Sequence, residues 1–220
     1  MDKKKFPEEL PNLEANLAPK KAGLSGWFFG FTKFILGICA LPVVYAVSAG
    51  FLNEFTLVEK GLQRYFWNGV ITMLILYLFA WEPAIIYSRG QRLLEFIFNF
   101  LKPLVRVAPF LLPVYTIIIF LAYLVYFYVF KVSADYLIFL FGLTITLHLI
   151  FSAKTMRAKK GDFLKGNYIF GFSLIYIINT ALLASFFSVI FPKFSFVNFC
   201  SYSFQTAKDI FGAVFSQLFS

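Results

Sequence analysis

Charged side chains are scarce in this sequence. Asp, Glu, Lys and Arg make up 14% of its 220 residues, whereas soluble domains carry about 25%. Apolar residues make up 60%, and they come in runs that approach or exceed the roughly 20 residues needed to cross a bilayer as a helix. A soluble domain of this size could not build a polar surface from so few charges. The composition therefore predicts an all-α, polytopic membrane protein.

Histidine and cysteine are nearly absent. The chain has one histidine, His148, and two cysteines, Cys39 and Cys200, which lie far apart in the sequence. This excludes a conventional zinc site and gives no sign of a disulfide framework. The motifs HExxH, GxSxG and CxxC and the Walker phosphate-binding sequence are also missing. The sequence favours a protein that is not an enzyme, with no bound metal and no cofactor.

Positive charge is in excess, with a formal net charge of +9 at pH 7, but it does not indicate nucleic-acid binding. The basic residues lie between the apolar runs, where they act as determinants of membrane topology. We expect them to contact the lipid bilayer, in particular anionic head groups. The other expected partners are further membrane protein subunits or further copies of this chain.

Five apolar segments predict five transmembrane helices within a membrane domain of residues 27–192. Residues 1–26 are predicted to form a flexible polar tail, because they contain three prolines and few apolar residues. Residues 193–220 form a C-terminal tail. The predicted spans are about 27–52, 66–87, 110–130, 134–152 and 168–191.

Two amphipathic segments predict helices that lie in the membrane interface. In residues 88–107 the polar residues recur at steps of four and three, which places them on one narrow face of a helix with about 3.6 residues per turn. These residues are Ser88, Arg92, Glu95, Asn99, Lys102 and Arg106. Residues 203–219 form the second such segment, which is too short and too polar to span the membrane.

The distribution of basic residues predicts the orientation of the chain. The N-terminal tail with Lys33, the segment 88–107 and the basic loop 152–167 contain 15 Lys and Arg residues, whereas the segments on the other side contain 5. The positive-inside rule places the richer side in the cytoplasm. We therefore expect a cytoplasmic N-terminus, an external C-terminus and a location in a membrane such as the bacterial inner membrane.

Ionisable or strongly polar residues inside predicted spans are the candidates for an intramembrane site, because burying them in lipid is costly. Glu82, His148 and Asn179 are such residues. Glu82 and His148 lie at similar depth, about 9 and 6 Å from the cytoplasmic ends of their spans. They could relay a proton, bind a cation or form a structural hydrogen bond. Alternatively, each reaches the nearby interface or pairs with Arg89 or Lys154.

Small and hydroxylated residues in the spans predict helix contacts. Thr72, Thr144, Thr146 and Thr180 are expected to bond across helices or back to their own helix carbonyls. Several glycines are expected to permit close helix packing, although no GxxxG pair occurs among them in one span: Gly37, Gly50, Gly142 and Gly171.

Three functions are compatible with these patterns. The first is a non-catalytic subunit or scaffold of a membrane complex, which docks through the amphipathic helix 88–107 and the basic loop. The candidate contacts with a partner or with lipid are Arg89, Arg92, Glu95, Lys102, Arg106, Lys154, Arg157, Lys159 and Lys160. The second is a small transporter or permease component. The third is a lipid-acting membrane enzyme that uses Glu82 and His148 as acid or base.

Overall fold

A computed structural model describes residues 24–80, 89, 90, 92, 111–130, 135–158 and 166–219. The described residues are helical apart from short connections. The helices are α1 (Leu24–Phe55), α2 (Lys60–Ile75), α3 (Val114–Phe130), α4 (Asp135–Ala158), α5 (Gly166–Ile190) and α6 (Phe196–Phe219), and one π-helical segment (Leu76–Ala80) continues α2. The predicted all-α class is confirmed for this part of the chain.

Three of the helices are long and apolar enough to cross a membrane. They contain the segments Gly30–Phe55, Asp135–Thr155 and Tyr168–Ile190, and α3 contributes a shorter apolar stretch, Val114–Phe127. Many large apolar side chains on these and neighbouring helices face outward, among them Phe79 at 83% exposure. Exposed apolar surface on this scale is a mark of contact with lipid or with another protein. These features associate the protein with a membrane.

Several helix boundaries differ from the predicted ones. α2 begins at Lys60, six residues before the predicted second span. The predicted third span begins at residue 110, but α3 begins at Val114, directly after Pro113. Proline has no backbone N–H, and its fixed φ suits the start of a helix and not its interior. The predicted basic loop 152–167 is wrong over its first part, because α4 continues to Ala158. Residues such as Ala153, Lys154 and Met156 are good helix formers and let the helix extend past the apolar segment.

The helices run in alternating directions. Contacts from Gly37 to Phe170 and from Phe51 to Phe187 show that α1 and α5 are parallel. Contacts pair Tyr65 with Tyr136, Gly69 with Phe139 and Tyr77 with Phe151, so α2 and α4 are also parallel to each other. The short connection 56–59 folds α2 back against α1. α3 runs in the same direction as α5, since Leu111 and Phe120 contact Asn179 and Phe186 in the same order.

Glycines bring the main chains of neighbouring helices together. A Cβ atom on Gly142 of α4 would clash with the Phe66 carbonyl of α2, and one on Gly69 of α2 would clash with the Phe139 carbonyl of α4. A Cβ on Gly37 would lie 3.1 Å from the Phe170 nitrogen. The predicted close contacts at Gly37, Gly50 and Gly142 are confirmed, and Gly69 adds a contact that the sequence pattern did not indicate. The α2–α4 interface depends on two glycines that face each other.

The C-terminal helix α6 is fixed to the end of α1. It begins at Phe196, seven residues before the predicted start. Ser195 caps it, since the Ser195 Oγ accepts the Asn198 N–H at 3.2 Å. The carboxylate of Glu54, which is buried at the end of α1, accepts the Ser195 N–H at 3.0 Å. Further along, Ser203 packs against Gly50, so the first turns of α6 run back along α1.

The predicted amphipathic helix 88–107 lies outside the described residues, apart from Arg89, Gly90 and Arg92, which are helical. Gly90 is buried, and a Cβ on it would lie 2.7 Å from the Tyr115 ring of α3. The start of this segment therefore packs against the start of α3.

Candidate functional site

A cavity of about 250 Å³ lies where α1, α2, α4 and α5 meet. Each helix contributes one face, because its lining residues are adjacent or lie three or four positions apart. On α5, Asn179 is 13 residues from the start and 11 from the end, so the cavity lies near the middle of this helix. The lining residues are Ser48, Phe51, Leu52, Phe66, Trp67, Val70, Ile145, Thr146, Leu149, Tyr176, Asn179, Thr180 and Leu183.

Asn179 is the most polar side chain of the lining and is fully buried. Its Nδ2 donates hydrogen bonds to the Leu111 carbonyl at 3.0 Å and to the Ile175 carbonyl at 2.7 Å. These two acceptors fix the orientation of the amide, because a flipped amide would place its oxygen against both carbonyls. The Oδ1 atom accepts no hydrogen bond from the described residues. The Asn179 Oδ1 is therefore a buried acceptor without a donor among the described residues, and the atoms around it shield it from the cavity.

Asn179 also has a structural role, through its hydrogen bond to the Leu111 carbonyl. Leu111 precedes Pro113, where the chain leaves one helical segment and enters α3. A carbonyl at such a break has no amide partner four residues ahead in the same helix. The Asn179 amide supplies the missing donor, so it joins α5 to the start of α3.

Four hydroxyl groups line the same cavity. Thr146 and Thr180 donate to the carbonyls four residues before them, Gly142 at 2.7 Å and Tyr176 at 2.9 Å. Ser48 donates to the Val44 carbonyl at 2.7 Å, and the Ser48 and Tyr176 hydroxyl oxygens lie 2.9 Å apart. Because the Ser48 proton is directed to Val44, the Tyr176 O–H is the donor between the two. This hydrogen bond joins α1 to α5.

Aromatic rings also line the cavity and extend away from it. Phe51, Phe66 and Trp67 line the cavity itself. Phe55 and Phe187 stack on one another with ring centroids 5.5 Å apart, and both also contact Phe66 within 5.5 Å. These contacts lie at the ends of α1 and α5 and the start of α2. The cluster therefore packs the bundle on the side of the cavity where α1 and α5 end.

The three predicted intramembrane candidates do not form one site in the described residues. Asn179 lines the cavity. His148 lies on α4, is buried at 5% exposure, and its Nε2 is 3.4 Å from the Ser152 Oγ one turn later. It is not part of the cavity lining, and its neighbour Leu147 packs with Met73 and Phe151 in a separate apolar cluster. Glu82 lies outside the described residues, so its predicted pairing with His148 stays a prediction.

The predicted contact residues lie on the surface where the structure describes them. Arg89, Arg92 and Lys154 are exposed. The main chain of Arg157 is helical. Glu95, Lys102, Arg106, Lys159 and Lys160 lie outside the described residues.

Another polar contact of the bundle lies beside the cavity and not in its lining. The Thr116 and Thr144 hydroxyl oxygens are 3.1 Å apart, and Thr144 also donates to the Leu140 carbonyl at 2.8 Å. Thr116 is therefore the donor between α3 and α4. The expected cross-helix role of threonines is confirmed at Thr144, and the expected bonding back to their own helices is confirmed at Thr146 and Thr180.

Sequence reasoning missed Ser48, Tyr176 and Trp67 as parts of the cavity. Ser48 is a single hydroxyl in a long apolar run, and Tyr176 lies three residues before Asn179 on the same helix face. That spacing was the available signal, since residues three or four apart on a helix are neighbours. Among the described residues, no three His, Cys, Asp or Glu side chains lie together as a metal site would require.

Comparison of the chain with protein family models, with curated proteins and with solved structures found no match.

Proposed function

We propose that this protein is a multi-pass membrane protein that binds a small solute in the cavity between α1, α2, α4 and α5, as a non-catalytic transporter or permease component. The observation that carries the proposal is the cavity itself, which combines the buried Asn179 amide and four hydroxyls with an aromatic wall. Small-molecule sites have this composition, with a few polar groups that fix orientation in a mostly apolar lining. The cavity extends from the middle of α5 to the adjoining ends of α1 and α2.

The alternating helix directions support the five-span topology that the proposal assumes. In that topology the first, third and fifth spans run one way and the second and fourth run the other way. The parallel pairs α1 with α5 and α2 with α4 have the required directions. α2 and its π-helical continuation reach Ala80, within the predicted second span of 66–87.

The proposed location is the bacterial inner membrane, with the N-terminus in the cytoplasm and the C-terminus outside. The imbalance of 15 to 5 basic residues supports this orientation. Reporter fusions that are active only in the cytoplasm, placed after residues 1 and 220, test it. Cytoplasmic activity at the C-terminal position would mean that α6 crosses the membrane and is not an interfacial helix.

Transport is tested by reconstituting the purified chain into liposomes and measuring the uptake of a panel of small solutes. Thr180→Met places a larger side chain in the cavity and is expected to abolish uptake. Thr116→Val is the matched control, because Thr116 is a buried threonine on α3 outside the cavity lining. Uptake that is equal in wild type and Thr180→Met, both folded, would contradict a route through this cavity.

A second candidate function is a subunit of a membrane complex. The observation that favours it is the exposure of Arg89, Arg92 and Lys154, which belong to the two predicted docking segments. Purification in mild detergent from the native membrane, followed by mass spectrometry, is expected to recover a stoichiometric partner. Arg92→Glu is then expected to release that partner. A partner-free monomer that alone moves a solute in liposomes would contradict the complex and support an autonomous transporter.

A further inference from the structure

The cavity opens to the outside of the bundle on the side of α1 and α2. Leu52 and Trp67 line the cavity, and their side chains remain 46% and 40% exposed. The residue before each of them, Phe51 and Phe66, is buried, and the centroids of these two rings lie 6.4 Å apart. The lining residues of α4 and α5 are buried or half-buried. Leu52 and Trp67 therefore form the rim of an opening between α1 and α2.

This opening follows from the way in which the helices pair. α1 packs mainly on α5 and α6, whereas α2 packs mainly on α4. Close main-chain contacts at glycines lie within these pairs, at Gly37 between α1 and α5 and at Gly69 and Gly142 between α2 and α4. No glycine of the described residues brings α1 and α2 together in this way. The two helices meet through rings, such as Phe55 and Phe66 with centroids 5.2 Å apart.

The interior of the cavity is uncharged. Its described lining contains no Asp, Glu, Lys, Arg or His. The hydroxyl protons of Ser48, Thr146 and Thr180 are bonded to carbonyls of their own helices. The Tyr176 proton is bonded to Ser48, and the Asn179 amide donates to two carbonyls of the protein. A full charge in this cavity would lose its water without gaining an opposite charge, which costs free energy.

We infer that the cavity is a site for an uncharged aromatic molecule that enters from the lipid between α1 and α2. The inference rests on the proposed function, since it names the class of solute and its route. Phe51, Phe66 and Trp67 offer ring faces and edges to a bound ring, and such ring pairs stabilise beyond the burial of apolar area. A volume of about 250 Å³ exceeds the ~150 Å³ of a cavity that accepts benzene. Molecules of one or two fused rings fit this volume, and they dissolve in the hydrocarbon of a bilayer.

The first test measures the binding of tritiated naphthalene to the full chain in lipid nanodiscs. Empty nanodiscs are subtracted to remove partition into lipid, and the remaining binding is expected to be saturable. The competitors are 2-naphthoate and 2-naphthylmethylammonium, which carry the same rings with a negative or a positive charge. At equal concentration in the nanodisc lipid, each is expected to compete roughly a hundredfold or more weakly than unlabelled naphthalene, because the cavity offers no partner for its charge.

A variant connects the binding to the cavity. Thr180→Met places a larger side chain in the lining and is expected to lower the affinity for naphthalene by about tenfold or more. Thr116→Val is expected to leave the affinity unchanged, because Thr116 lies outside the lining. If Thr180→Met does not fold, the competition between charged and uncharged rings on the wild-type chain decides the question.

The second test asks whether the rim of the opening faces lipid. Replacing Trp27 and Trp81 by phenylalanine leaves Trp67 as the only tryptophan of the chain. Bilayers whose acyl chains carry bromine are expected to quench most of the Trp67 emission, whereas iodide in the water is expected to quench little of it. Strong quenching by iodide and none by the brominated lipid would overturn entry from the lipid.

The outcomes separate this inference from the proposed function. No saturable binding of naphthalene, or equally strong competition by a charged analogue, would overturn the aromatic assignment. Liposome uptake of a water-soluble solute that Thr180→Met abolishes would then leave the transport proposal intact. Saturable naphthalene binding that Thr180→Met weakens, in a chain that takes up no solute in liposomes, would support the aromatic site and contradict transport by this chain alone.

Discussion

The contact of α2 with α4 gives the sharpest prediction about stability, through Gly142→Ala. An added Cβ would clash with the Phe66 carbonyl oxygen and would lie 3.1 Å from both the Phe66 carbonyl carbon and the Val70 nitrogen. Backbone atoms cannot rotate away as a side chain can, so the two helices must separate along their length. We expect Gly142→Ala to lower the free energy of unfolding by about 3 kcal/mol, the upper part of the range for overpacked cores.

The matched controls are Gly30→Ala and Gly212→Ala. An added Cβ at either position meets nothing within 4 Å, and alanine in a helix is more stable than glycine by roughly 0.5–1 kcal/mol. The controls are therefore expected to be neutral or stabilising. The free energy of unfolding is measured by titrating the detergent-solubilised protein with sodium dodecyl sulfate and following the helical circular dichroism signal. A Gly142→Ala variant as stable as Gly30→Ala would refute the close backbone contact between α2 and α4.

Three further predictions concern single polar contacts, each measured in the same unfolding titration. Glu54→Ala removes the acceptor of the Ser195 N–H and is expected to lower the free energy of unfolding by about 1–3 kcal/mol. Glu54→Gln, which keeps an acceptor, and Glu59→Ala at an exposed position are the controls and are expected to have smaller effects. Equal effects of the three variants would contradict the role of Glu54. Asn179→Leu leaves the Leu111 carbonyl without its donor and is expected to cost about 1–3 kcal/mol, more than Thr116→Val. Ser48→Ala and Tyr176→Phe each remove the same hydrogen bond, and each is expected to lower the free energy of unfolding by roughly 0.6 kcal/mol. The double variant is therefore expected to lose less than the sum of the two single variants. Strictly additive losses would argue against this hydrogen bond.

The helices could be predicted because long apolar runs leave a chain in lipid few alternatives to the α-helix. Their ends were less predictable, since local signals such as Pro113 and the Ser195 cap decide them. The prediction of a basic loop was wrong at Ser152–Ala158, because a high content of charged residues indicates exposure to water and does not exclude a helix.

The candidate site was only partly predictable. Asn179 was identified because an amide in the middle of a span is conspicuous. Its companions are a lone serine, a tyrosine and two threonines, which are common in apolar helices and carry no individual signal. Depth along a span is readable from the sequence, but which faces of four helices meet is decided by packing, here by the contacts at Gly69 and Gly142.

The hydroxyls that bond back to their own helices also bear on how the chain enters the membrane. Ser48 and Tyr176 are 128 residues apart, so the ribosome completes α1 long before its partner helix exists. During that interval the Ser48 proton is already satisfied by the Val44 carbonyl, and Thr146 and Thr180 are self-sufficient in the same way. Each helix can therefore partition into lipid by itself. The contacts between helices, and the cavity with them, are added only when α5 arrives beside α1.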